Sequence, residues 1–379
     1  METTVQPLPT TTDPFDYCNF SDSIKVLNDK AYWGNYAVFM PCYFVLGTAG
    51  RGLSLLAFYY QAKVESAYLF QIFVAIIELI EVVSYSFYTS TRYLWSGISK
   101  LGEAWFMKCW ICMYVDAHFA NPLQMSAVFC SLMLSLFMTL DRIYALAKPM
   151  KYNQKKNRKK QQWGIFIFCV LFSSISAFPD VFYFYPIWDE ATGMYKSVYN
   201  LPWRNLLLTL VNLHMMLKLI ITLVLAAADV ILAIIYRARL LKRAKMANRN
   251  QEKEAEEMDK IRTLFWLTFI QSILDSLSVA GDFTYNIISW LCRLFDMGDA
   301  DCISVVIAPF CDGLKALADM ADFYIVFALM PSFRKMVIKS VKRALKIGVN
   351  EVTDVSNSRV TGTQTTGVTR INTQTTNHA

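Results

Sequence analysis

Residues 140–149 read LDRIYALAKP: an Asp141-Arg142 pair at the end of a long apolar run, then Pro149, then a strongly basic stretch. A charged pair on the lip of an apolar helix costs free energy unless it has a partner or a task. Two readings follow. Arg142 is either an interfacial side chain that snorkels to the headgroups or a working charge at the mouth of a membrane bundle.

Working outward from that pair, apolar runs recur along the chain. A bilayer-spanning helix needs about 20 mostly apolar residues. Runs long enough fall at 36–60, 67–89, 110–146, 163–185, 206–235, 264–291 and 303–329. The second, sixth and seventh carry acidic residues. The composition agrees, with 55% hydrophobic and 18% charged residues, against about 25% charged in an ordinary soluble domain. The expectation is an all-α membrane protein: a seven-transmembrane helix bundle followed by a short interfacial amphipathic eighth helix.

Charge gives the orientation. The stretches KPMKYNQKKNRKKQQ, RARLLKRAKMANRNQEKEAEEMDKIR and FRKMVIKSVKRALK follow the third, fifth and seventh runs, while DEATGMYKSVYNLPWR and RLFDMGDAD are mixed or acidic. The positive-inside rule puts the first three in the cytoplasm, the N-terminus outside, and the chain in the plasma membrane as a multi-pass protein. The sequon at Asn19 lies on the outer side in that arrangement. The first residues carry no basic n-region and no apolar h-region, so the first apolar run is expected to act as the insertion signal.

The domain reading is an extracellular tail over 1–35, the bundle over 36–330, an interfacial helix over 331–347 and a cytoplasmic tail over 348–379. Phe333, Val337, Val341 and Leu345 are spaced by four with Lys and Arg between them, which suits a helix lying in the interface. The final segment, TGTQTTGVTRINTQTT, is Thr-rich and is expected to be disordered. Its threonines are candidate phosphorylation acceptors, and phosphates there would attract a basic partner.

Other classes find little support. The net charge is +7, but the basic stretches are loops between apolar runs, not an aromatic-interleaved face for nucleic acid. The chain has three His and no His-Glu-x-x-His, so neither a metal nor a cofactor nor an enzymatic activity is expected. A transporter would show internal repeats or matching broken helices, and none is visible; a non-signalling scaffold stays open. Cys109-Trp-Ile-Cys112 lacks the second pair of a zinc site. At an outer helix end these thiols are candidates for disulfides with Cys18, Cys292 or Cys302, in pairings that spacing leaves open.

Seven helices with LDRIYALAKP closing the third resemble the rhodopsin-like G protein-coupled receptors. Asp141, Arg142 and Pro149 match that family's pattern, with Ile143 in place of Tyr. GTAGRGL carries Arg51 where Asn is usual, and VAIIEL carries Glu78 in the Asp place. Ser131 and Pro179 also match, and ADFYIVFALMPSFRK outlines Asn-Pro-x-x-Tyr with Asp322, Phe323 and Val326 substituted. FANPLQMSAVF and the Asp-Phe form of the last motif look most like invertebrate FMRFamide-type peptide receptors and nematode serpentine receptors. Three features depart: runs five and six lack their Pro, and residues 188–204 lack the Cys of the usual disulfide.

The resemblance implies an extracellular ligand, peptide or small molecule, a neuropeptide first and a chemosensory small molecule second. It implies a heterotrimeric G protein met through Asp141 and Arg142, with membrane lipid around the bundle. It also implies that Arg51 and Glu78, with Ser131 and Asp322 nearby, stand where relatives bind sodium. Arg51 then either snorkels alone or pairs with Glu78 and Asp322, its guanidinium replacing the ion. Asp312, Lys315, Asp319 and Asp322 fall within about 80° on the seventh helix, a polar stripe that must face the interior. Lys315 is spaced to pair with Asp312 or Asp319. Glu81, Asp116, Asp282 and Asp312 all lie towards outer helix ends, an acid excess that suits a cationic ligand. His214 and Lys218 pull the other way.

Overall fold

The computed structural model describes residues 30–31, 33–64, 68–89, 108–148, 152, 157–190, 193–199, 203–244, 262–263, 265–274, 276–277, 284 and 300–345. Asn19, Asp282 and the Thr-rich tail lie outside them.

Apolar runs in lipid have to satisfy every backbone group internally, which leaves the helix as the available form. The helices are α1 (Met40–Val64), entered through a π-helical stretch (Trp33–Phe39), and α2 (Leu69–Thr89). Then come α3 (Trp110–Ala147), α4 (Arg158–Ala177), α5 (Arg204–Ala244), α6 (Phe265–Leu274), α7 (Ala300–Leu329) and α8 (Pro331–Ala344). Among the described residues four helices are long and apolar enough to cross a membrane. The most hydrophobic windows of α2 and α3 are 67% buried, against 22% for α4 and 28% for α5. α2 and α3 are therefore central, while α4 and α5 turn Ile175, Phe168, Leu223 and Ile234 outward, as lipid-facing helices do.

One of the two large core clusters lies between α2, α3 and α4, where Phe73 stacks on Phe166 at 4.3 Å and meets Trp163 at 4.8 Å. Two elements depart from expectation. The fourth apolar run does not stay helical to residue 185: α4 ends at Ala177, a single turn covers Asp180–Tyr183, and Phe184 starts a strand. β1 (Phe184–Asp189) pairs antiparallel with β2 (Met194–Tyr199) where a loop was expected. The aromatic and β-branched residues favour a strand, Trp188 packs edge-on to Tyr195 at 4.9 Å, and Gly193 supplies the positive φ of 64° near the turn. Second, α5 runs for 41 residues, about 60 Å of helix against a hydrocarbon core of about 30 Å. Its basic end, RARLLKRA, is made of good helix formers and simply continues past the apolar part.

Met330, extended at φ −113°, separates α7 from α8, and Pro331 takes the first position of the new helix. The residue before a proline is disfavoured in the helical region, which forces the break, and the two axes meet at 101°. α8 buries Phe333, Met336 and Val337 against α1 and α7, with Phe333 5.7 Å from the Phe58 ring. Val341 is only partly buried and Leu345 is exposed, so the apolar spacing of four divides between protein and surroundings.

Candidate functional site

A buried polar hub joins α1, α2, α6 and α7. Gly47 and Gly50 let α1 approach closely: a Cβ on Gly50 would lie 3.0 Å from the Phe323 Cβ, and one on Gly47 3.2 Å from Val82. That approach brings Arg51 to its partners. Its guanidinium meets Glu78 at 2.9 Å, pairs with Asp322, and donates to the Asp319 carbonyl at 3.1 Å. Arg51 is 4% exposed, so it does not snorkel. From α6, Gln271 donates to the other Glu78 oxygen at 2.8 Å. Arg51, Glu78, Gln71, Gln271 and Asp322 line a cavity of about 20 Å³, room for one water. Ser131, expected beside them, is buried on α3 and does not line it.

One turn along, Lys315 reaches across to Glu81 at 3.4 Å and lies over the Tyr85 ring at 4.7 Å. Its spacing within α7 suggested Asp312 or Asp319; the structure adds a carboxylate from α2. The Tyr43 hydroxyl donates to Asp319 at 3.4 Å. Glu81 therefore faces a cation of the protein itself. Asp312 is half-buried on the same helix. Asp116 is buried in a π-helical stretch of α3, Asp116–Ala120, where the Asn121 N–H donates five residues back to the Asp116 carbonyl. Pro122 follows and has no N–H to continue the regular ladder. The groove between α2 and α3 is lined by Leu79, Ile80, Val83, Val115, Phe119 and Leu123, and neither Glu81 nor Asp116 opens onto it. His214 and Lys218 are buried, with His214 Nδ1 2.6 Å from the Ser176 hydroxyl and Lys218 3.3 Å from the Met125 sulfur.

At the opposite end of α3, Asp141 is held from outside the helix. Arg158, in the first turn of α4, and the Tyr152 hydroxyl each donate to its carboxylate at 2.9 Å. The Arg158 guanidinium also lies 4.0 Å over the Tyr152 ring. Arg142 is 4.0 Å from the same carboxylate and only 6% exposed, so its charge stays within the bundle.

Sequence reasoning missed a third polar centre. Asp229 of α5 is buried and accepts from Thr139 of α3 at 3.3 Å and from Ser272 of α6. The next turns are closed by Tyr236 stacked on Phe265 at 4.0 Å. The signal was legible, because an acid inside the run LAAADVILA has to face a partner. Tyr152 and Arg158 lie in the basic loop and carried no such mark.

This arrangement is that of a rhodopsin-type seven-helix bundle. The fold is similar to that in the crystal structure of squid rhodopsin, with a TM-score of 0.57 and 14% identity over 89% of this chain and 88% of that one. No curated protein matches the chain in sequence. The chain belongs to the family described as serpentine type 7TM GPCR chemoreceptor Srx, whose model matches residues 101–314. It is thus a multi-pass membrane protein of a receptor family, one whose members take a ligand and couple to G proteins.

Proposed function

We propose that the chain is a chemosensory receptor of the plasma membrane that detects a small molecule and signals through a heterotrimeric G protein. The N-terminus lies outside and the C-terminus in the cytoplasm, as the three basic loops require. Ligand enters at the end of the bundle that carries Cys109 and the hairpin, and the opposite end meets the G protein. Membership of a chemoreceptor family favours a small chemical over the neuropeptide that the motifs alone suggested.

The observation that carries the signalling half is Arg142, buried at the end of α3 while Arg158 and Tyr152 grip the neighbouring Asp141. A side chain that only snorkelled would lie outside the bundle. Ligand binding shifts a two-state bundle towards the form in which this guanidinium meets the G protein. Arg142→Ala is expected to abolish ligand-stimulated nucleotide exchange at normal surface expression; unchanged exchange in that variant overturns the assignment. A panel of odorants and neuropeptides, applied to cells with a promiscuous G protein, supplies the agonist. A response to peptides alone would restore the neuropeptide reading. Truncation after Val349 is expected to slow internalisation if the tail recruits an arrestin, and unaltered internalisation retires that partner.

A further inference from the structure

We infer that Cys109 and Cys112 form a thiol–disulfide exchange site at the first turn of α3, one that takes small disulfides of the glutathione class. Both thiols are partly exposed and neither is bonded. Cys109 is the N-cap of the helix, and its sulfur accepts the backbone N–H of Cys112 at 3.3 Å. Two residues three apart across a helix start have Cα atoms about 5–6 Å apart, within the span that a disulfide bridges.

The two sulfurs are not equivalent. Hydrogen bonds from Cys112 hold the Cys109 thiol below its ordinary pKa, which favours the thiolate, the attacking species. Trp110 and Ile111 between them are exposed, so the turn is open to a small disulfide. The helix segment Trp110–Val115 packs on β1 and β2, which places the site beside the hairpin.

The chemistry closes without another reagent. The Cys109 thiolate attacks one sulfur of the small disulfide, forming a mixed disulfide and expelling one thiolate. Cys112 gives its proton to that leaving thiolate and attacks the Cys109 sulfur, expelling the second half as a thiolate, which takes back from solvent the proton that Cys109 had released. The receptor loses two electrons and the small disulfide gains them, becoming two thiols.

The test uses the purified full-length receptor, so it does not depend on membrane orientation or on any agonist. The receptor is equilibrated in glutathione buffers from reducing to oxidising, alkylated, and mapped by mass spectrometry on the fragment that carries both cysteines. The expected result is that both alkylation sites vanish together on oxidation and return on reduction, with the linkage inside one fragment. Cys112→Ser should stop at the mixed disulfide on Cys109, and Cys109→Ser should leave Cys112 alkylatable across the same buffers. The proposal is overturned if either cysteine is joined to Cys18, Cys292 or Cys302, or if both stay alkylatable in the oxidising buffers.

Discussion

The bundle is held together differently on its two sides. α1, α2 and α7 are tied by guanidinium–carboxylate and ammonium–carboxylate pairs, Arg51 with Glu78 and Asp322 and Lys315 with Glu81. α3, α5 and α6 are tied at Asp229 by two hydroxyls, from Thr139 and Ser272. An ion pair in a dry interior has no second satisfied state, because separating it strands two charges. Hydroxyls do have one: a Ser or Thr on a helix can return to its own backbone carbonyl. Ser276 does so to the Ser272 carbonyl and Thr222 to that of Lys218, each within one turn. The first side therefore has no alternative satisfied arrangement, whereas the hydroxyls of the second have one within reach, which makes it the exchangeable side.

α6 belongs to both sides. Gln271 donates to Glu78 and its neighbour Ser272 to Asp229. Successive helix positions differ by about 100°, so adjacent residues face different partners. A movement of α6 away from α5 breaks the hydroxyl contact, while Gln271 keeps the helix registered on the charged hub.

The sharpest way to break this contrast is to remove one charge. Arg51→Met leaves Glu78 and Asp322 buried together and should cost about 3–5 kcal/mol, read as lost surface delivery and a lower melting temperature in detergent. Glu78→Gln should cost less, since Asp322 still meets the guanidinium, and the Arg51→Met/Glu78→Gln double should recover part of the loss. A double variant as poor as the two singles combined would mean that the pair is not coupled.

On the other side, Asp229→Ala removes the acceptor of two hydroxyls and should cost about 1.5–3 kcal/mol. Its distinguishing effect is functional: agonist-free nucleotide exchange should rise, because the closed arrangement of α3, α5 and α6 loses its tie. Basal exchange at the wild-type level would remove the idea of an exchangeable side. Gly50→Ala tests the approach of α1 to α7, where the new methyl meets Phe323; about 1–2 kcal/mol is expected, within the range for overpacking. Gly52 has open space around its Cα, so Gly52→Ala should leave the melting temperature unchanged or slightly raised. The smallest expected effect is none at all. With Arg51 among the carboxylates, sodium should not alter agonist affinity, and a clear sodium dependence would show that the ion still enters the hub.

Periodicity, hydropathy and loop charge were enough to read a helical membrane bundle from the sequence, because lipid leaves the backbone one inexpensive form and the runs are long. Arg51 and Glu78 were legible as partners for a similar reason: each is intolerable alone at that depth. The break before Pro331 was equally local. The hairpin was not legible, since FYPIWD is as apolar as the end of a helix and its strand character rests on its pairing with Met194–Tyr199. Lys315 shows the limit most clearly. Helical spacing offers Asp312 and Asp319 on its own element, whereas Glu81 comes from a different helix, 234 positions earlier in the chain. Asp229 announced from the sequence that it needed partners, but not that they would be Thr139 and Ser272. Residue type and depth decide that a buried charge must be compensated; which side chain compensates it depends on how closely two helices pack, and at α1 and α7 that distance is set by the missing side chain of Gly50.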